Sequence, residues 1–226
     1  MVSNDLRLDM TFGPDQPQRL LSAWLGPPLR DVPEPAASDL PAALADWHRQ
    51  AGRWDPPVMR QNRVPASREK DGDMLLVGVE NQAVWLWGVC DEGGNPLVWE
   101  RENKPGAGWT QTAERLDEFL WHFTLVDVTL GGRFGLGAND VSPTEVARFT
   151  SPWTALPVKP WRWPGPAQTL WTWDGLLAWT MVNDRPDSPV TDASTYSIFV
   201  GARSNQDLIH VNDAGIAWDR DSRNGL

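Results

Sequence analysis

An α+β fold, with a central and mostly antiparallel sheet flanked by helices, is predicted by two changes of hydrophobic period and by short connections. Apolar residues keep helical spacing between residues 17 and 51, then give way to compact runs rich in Val, Leu and Trp at 74–79, 83–89 and 97–100. Helical spacing returns at 116–123. The apolar runs are separated by only a few turn-forming residues, and such links join antiparallel strands, since a parallel crossover needs a dozen residues or more.

The first helix is read over residues 17–26, where Leu20, Leu21, Trp24 and Leu25 share a face, Gly26 ends it and Pro27 and Pro28 forbid continuation. Pro33 and Pro35 mark a loop. A second helix is read over 40–51, with Ser38 or Asp39 as N-cap, Pro41 in the first turn, Leu40, Leu44, Trp47 and Ala51 on one face, and Gly52 as its stop. Residues 55–73 are polar and contain Pro56, Pro57 and Pro65, so they are expected to form a surface connection.

Strands at 74–79 and 83–89, joined by Glu80-Asn81-Gln82, make a hairpin, and a third strand follows at 97–100 after a Gly-containing turn. Thr112 is expected to cap a helix bearing Leu116, Phe119, Leu120 and Phe123, with a strand at 125–130 after it. Residues 131–137, with Gly131, Gly132, Gly135 and Gly137, read as a flexible linker: they lack the lysine and hydroxyl of a phosphate-binding loop.

Ser142-Pro143-Thr144-Glu145 is a capping box with Pro at the first helical position, predicting a short helix to Phe149. A Pro- and Trp-rich connection covers 152–166. Asp174-Gly175 then joins strands at 169–173 and 176–182, a dipeptide suited to a turn with positive φ at both central residues. A strand at 196–201, a short helix begun by Ser204 and Asp207, and a closing strand at 216–218 complete the reading. The order hairpin, strand, helix thus occurs at 74–123 and again at 169–210, which would fit a remote half-repeat or coincidence. Two regions are distinguished: an α+β domain at 1–130, and a Trp-rich, β-rich extension at 131–226 that either continues the same sheet or forms a second domain.

Fifteen tryptophans against one tyrosine imply a core built largely from indole rings. Cys90 is the only cysteine, which excludes an internal disulfide and a Cys-based zinc site. Residues 1–17 carry Asp5, Asp9 and Asp15 and lack an apolar stretch, and no later segment has the length of a membrane span, so a cytoplasmic location away from membranes is expected. A formal charge of −10 repels phosphate backbones, argues against nucleic-acid binding, and favours a basic partner by long-range steering.

Catalytic chemistry is sparse. His48 and His122 are placed near helix ends and His210 after the last helix, positions that suit contacts with carbonyls or helix dipoles better than base catalysis. Asp91 beside Cys90 works against a thiolate nucleophile. No metal-ligand spacing occurs: Asp219, Asp221 and Gly225 stand like the start of a calcium loop, but Arg223 occupies a ligand position. Neither a cofactor nor a metal is expected. Glu80, Asp91, Glu92, Glu100, Glu102, Glu114, Asp117 and Glu118 concentrate acid in the first region, and Asp184, Asp187 and Asp192 share one loop. Each is explained singly by solvation. Together, with exposed Trp161 or Trp163 as anchors, they would make a protein-binding face. A carboxylate cleft formed by Asp174, Asp184 and Asp187 with Trp171 and Trp173 is the enzymatic alternative, and it requires two carboxyls to converge.

The segments Leu40-Pro41 with its helix, Leu75-Leu76-Val77-Gly78-Val79-Glu80-Asn81-Gln82-Ala83-Val84-Trp85-Leu86-Trp87-Gly88, Pro96-Leu97-Val98-Trp99, the lone Trp109, and Leu116-Asp117-Glu118-Phe119-Leu120 occur in an order that resembles the SUKH superfamily. The resemblance covers residues 17–130. It implies an α+β fold, no catalytic residues, and a role as immunity partner to a protein toxin, often a nuclease whose basic face an acidic inhibitor would cover. It also suggests Glu80, Asn81, Gln82, Trp85 and Trp99 as the binding region, to which the acidic loop adds Asp184 and Asp187; the same motif residues equally suit turn and core. A regulatory or scaffold protein of the same fold is the alternative.

Overall fold

The computed structural model describes residues 16–29, 39–54, 58–90, 94–165, 167–184 and 189–221. The fold is α+β, with two antiparallel sheets, and the chain divides into compact units covering residues 12–127 and 128–226.

In the first unit, α1 (Gln16–Leu25) and α2 (Ala42–Ala51) precede a sheet of order β1-β2-β3-β4-β5. Its strands are β1 (Lys70–Asp71), β2 (Met74–Val79), β3 (Trp85–Cys90), β4 (Leu97–Glu102) and β5 (Thr110–Arg115), and α3 (Leu116–Gly131) follows, its last four residues, 128–131, belonging to the second unit. Gly26 takes the left-handed conformation expected of a helix stop. The N-cap of α2 is Pro41, which makes no side-chain bond, in place of the expected Ser38 or Asp39; residue 38 lies outside the described residues.

Side chains alternate across this sheet as register demands. Leu75, Val89 and Val98 share one face with Trp87 and Glu100, and Trp87 meets Phe119 and Phe123 of α3 at ring distances of 5.9 and 5.0 Å. The other face carries Met74, Leu76, Leu86, Gly88 and Arg101. Arg101 on β4 is ion-paired with Asp71 on β1 at 2.6 Å, although these strands stand about 14 Å apart in a flat sheet. The sheet therefore curls, with this face concave.

Several expectations are corrected. Thr112 caps no helix but lies within β5, where its Oγ1 donates to Val98 O at 2.9 Å; the cap belongs to Glu118, whose Oε2 accepts from Arg115 N at 3.1 Å. Residues 125–130 are not a strand but the continuation of α3, whose β-branched residues are tolerated because Leu125, Val126 and Val128 are buried. The stretch 55–73 is more than a surface connection: Val58, Asn62 and Val64 are buried, and Arg63 bridges Val79. His122 is mid-helix and 1% exposed, its Nδ1 at 2.9 Å from Glu114 Oε1, so it is neither terminal nor partly exposed. Asp127, also on α3 and fully buried, accepts the backbone N–H groups of Arg60, Gln61 and Asn62 at 2.7, 3.1 and 2.6 Å.

In the second unit the sheet order is β11-β6-β10-β9-β8-β7, from β6 (Phe134–Val141), β7 (Thr154–Ala155), β8 (Thr169–Trp173), β9 (Leu176–Val182), β10 (Tyr196–Ala202) and β11 (Arg220–Asp221), with α4 (Pro143–Thr150) and a 310 helix (Gln206–Ala214). It is a separate sheet, not a continuation of the first. The Gly-rich stretch is no linker: Gly135 and Gly137 sit in β6, opposite Gly201 and Phe199 of β10, while Leu136 and Ala138 of β6 enter the core from the other face. The capping box forms in full, with Ser142 accepting from Glu145 N and Glu145 accepting from Ser142 N. Asp174 and Gly175 both take positive φ, 47° and 79°, as the hairpin requires. The closing strand lies at 220–221, not at 216–218, where Ile216 and Trp218 pack into the core instead.

Candidate binding surface

The β2–β3 connection is built around Glu80. Its carboxylate is turned inward, 6% exposed, and Oε2 accepts from the backbone N–H groups of Gln82 at 2.8 Å and Val84 at 3.3 Å. Its own backbone closes the turn, with Glu80 N donating to Trp85 O and Ala83 N donating to Glu80 O. Ala83 carries φ +56°, and Asn103 clamps the same turn from the β4–β5 connection: its N–H donates to Val84 O, and its Nδ2 to Ala83 O at 2.7 Å. A charged acceptor inside and an amide bracket outside hold residues 81–84 in one conformation. All four are exposed, and Val84 presents an apolar side chain that is 46% exposed.

The expected binding residues divide accordingly. Asn81 and Gln82 stand on the exposed tip, with Asn81 Nδ2 reaching Gln61 Oε1 at 3.5 Å. Trp85 is buried, and its indole N–H donates to the buried Glu100 Oε2 at 3.2 Å. Trp99 is half-buried on the opposite, concave face, in register with Gly88. The structure thus brings Glu80, Asn81 and Gln82 together and puts Trp85 and Trp99 on opposite faces. Glu80 and Trp85 organise the site from within, while Asn81, Gln82 and Trp99 reach solvent.

Asp184 belongs to the second unit, where its carboxylate accepts from Ser194 Oγ at 2.5 Å; Asp187 lies outside the described residues. Trp161, expected as an exposed anchor, is 3% exposed, and Trp163 is half-buried against Trp179 at 6.1 Å. Gln168 explains the inward placement, since its Nε2 donates to both Trp161 O and Trp163 O. Among the described residues, no group of three or more His, Cys, Asp or Glu side chains is placed to hold a metal ion. No helix among them is long and apolar enough to cross a membrane.

Two surface features escaped the sequence reading. Val84 was absorbed into a strand, and Trp109 with Arg101 and Asp71 gave no sign of meeting, because their contact depends on the curl of the sheet. Charge is also unevenly divided: residues 12–127 hold eighteen acidic and eleven basic side chains, a net −7, whereas 128–226 hold ten and eight, a net −2. No family model matches this chain, and neither a curated protein nor a solved structure does.

Proposed function

We propose that this protein is a non-enzymatic binding protein that neutralises a protein toxin with a basic face, in the manner of an immunity protein. The braced turn at 81–84 carries the reading. A rigid tip with an exposed valine loses little conformational freedom on association, which is the property of a preformed contact point. The net −7 of the unit that bears it supplies long-range attraction to a basic surface. The resemblance of residues 17–130 to the SUKH superfamily points the same way, and a nuclease, basic where it grips phosphate, is the toxin class that fits the charge. The encounter is assigned to the cytoplasm, in keeping with a single cysteine.

The test is to co-express the chain with the C-terminal domain of the protein encoded immediately upstream of its gene, following growth and co-purification. Rescue of growth together with a complex that weakens as salt rises is expected. A complex that leaves toxicity intact assigns the chain to the scaffold class instead, and the absence of any complex at low salt overturns the proposal.

A further inference from the structure

The concave face of the five-stranded sheet is filled by the chain's own Trp109. A Cβ built on Gly88 would stand 3.1 Å from Trp109 Cη2, so the indole lies directly on the sheet at the one position of β3 where a side chain would exclude it. Leu76, Val79 and Leu86 form the buried walls, and the Arg101 guanidinium lies over the ring at 5.3 Å from its centroid. A flat floor, apolar walls and a cationic ceiling are the recognition chemistry of an aromatic ring.

What holds Trp109 there is limited. Among the described residues its indole N–H makes no hydrogen bond, and the connection that delivers it, Lys104-Pro105-Gly106-Ala107-Gly108, is largely exposed. Gly106 has φ +79° with nothing within 4 Å of a built Cβ, so its turn is held by the Ala107 N–H bond to Lys104 O at 3.2 Å and not by packing. Beyond the two bonds of Asn103 that fix the connection's root, the fastening is Arg101, whose side chain is only 12% exposed. Its Nε donates to Asp71 Oδ2 at 2.8 Å and its Nη2 to the same oxygen at 2.6 Å, while Nη1 reaches the carbonyls of Glu102 at 3.2 Å and Lys104 at 3.5 Å. One guanidinium thus ties β1, the root of the connection and the indole together.

We propose that residues 104–109 are a strap hinged at the clamped Asn103, that Trp109 is the resident stand-in for an aromatic side chain of a partner protein, and that the Asp71–Arg101 pair sets how readily the strap opens. The partner's aromatic group takes the place of Trp109 on Gly88 beneath Arg101, flanked by Trp99, whose register partner is also Gly88. This rests on the binding-protein reading, since it names the chemistry that such a partner offers.

The test uses the whole chain alone, with N-acetyl-tryptophanamide as the probe and the amide resonances of Leu86 and Gly88 and the Arg101 Nε–H as readouts in 15N-correlated NMR spectra. Weak saturable shifts are expected for the wild type, with binding about fivefold tighter in Asp71→Asn, the factor that loss of a partly exposed ion pair contributes to the open population. Binding is expected to be tightest in Trp109→Ala, which lacks the internal competitor. If Trp109→Ala does not bind the probe, the face is no aromatic site. If only Trp109→Ala binds, Trp109 is ordinary core and the strap does not open. Equal affinities for the wild type and Asp71→Asn overturn the latch. Should Asp71→Asn fail to fold, Asp71→Ser, which also removes the charge and leaves Arg101 over the ring, answers the same question. Because the probe is a small molecule, failure here leaves the toxin reading standing, and failure to find a toxin leaves this result standing.

Discussion

Gly201 on β10 and Thr129 on α3 stand so close that a Cβ on the glycine would lie 3.0 Å from both the Cα and the carbonyl oxygen of Thr129. Both obstructing atoms are backbone, so no rotamer change can relieve the contact. Gly201→Ala is therefore expected to destabilise by about 1–3 kcal/mol, the range for inserting a methyl group into a filled site. Urea unfolding of the variant measures this, and a neutral midpoint would mean that α3 can shift without penalty.

This contact also explains which parts of the fold were legible in the sequence. Local chemistry was read correctly where it is self-contained: the Ser142–Glu145 capping box and the Asp174-Gly175 hairpin each fix their own backbone. Errors arose where tertiary packing overrides local propensity. Residues 131–137 read as a linker because glycine disfavours strands, yet Gly201, opposite Gly135, is needed for the close approach of a helix backbone. Residues 125–130 read as a strand because they are β-branched and apolar, and only burial of the whole helix reverses that. The Glu80 turn was recognised, but its inward carboxylate was not, since nothing in Glu80-Asn81-Gln82 tells which side chain faces the backbone.

Asp127 supplies a prediction with a pH signature. Its carboxylate satisfies three backbone N–H groups of residues 60–62, and burial nevertheless outweighs them, holding its pKa above the ordinary carboxyl value. The folded state then keeps this proton to higher pH than the unfolded chain does. Its contribution is fully present below the unfolded pKa and declines as pH rises through the folded one. Asp127→Asn removes that slope, but turns an amide N–H₂ or a lone oxygen toward three donors, leaving at least one orphaned, and should cost about 1–3 kcal/mol at neutral pH. Chemical unfolding of both proteins from pH 4 upward separates the two effects.

His48 predicts the opposite slope. Burial lowers its pKa despite the bond from Nε2 to Pro65 O at 2.7 Å, so the neutral ring is the form that the folded state holds. A depressed folded pKa means that stability is present above the ordinary histidine value and is lost as pH falls through the folded one. His48→Gln should flatten the stability curve on the acid side of about pH 6.5. A slope unchanged in the variant would assign the acid sensitivity elsewhere.

For Glu80, the inward carboxylate predicts a structural penalty that comes before any effect on binding. Glu80→Ala leaves the N–H groups of Gln82 and Val84 without their acceptor and should destabilise by about 1–3 kcal/mol. Glu80→Gln keeps one carbonyl oxygen in place and should lose less. Amide hydrogen exchange at residues 82–84 reads the tip directly: faster exchange in the alanine variant, with β3 still protected, is the expected pattern, and uniform loss across the hairpin would deny the turn its separate role.

Trp85 and Trp99 give the sharpest separation of fold from function, because register places them on opposite faces of one sheet. Trp85→Ala empties a site that is 4% exposed and removes the indole N–H that donates to Glu100 Oε2, so a loss of about 3–5 kcal/mol in stability is expected. Trp99→Ala removes a half-buried ring from the concave face, where the fold depends on it less. If that face binds the partner, Trp99→Ala should weaken the complex at least tenfold while shifting the unfolding midpoint far less than Trp85→Ala does. Calorimetric titration beside thermal unfolding makes the comparison on the same two proteins. Unchanged affinity in a folded Trp99→Ala would move the contact off the concave face and onto the 81–84 tip, where Val84→Asp would then be the disruptive change.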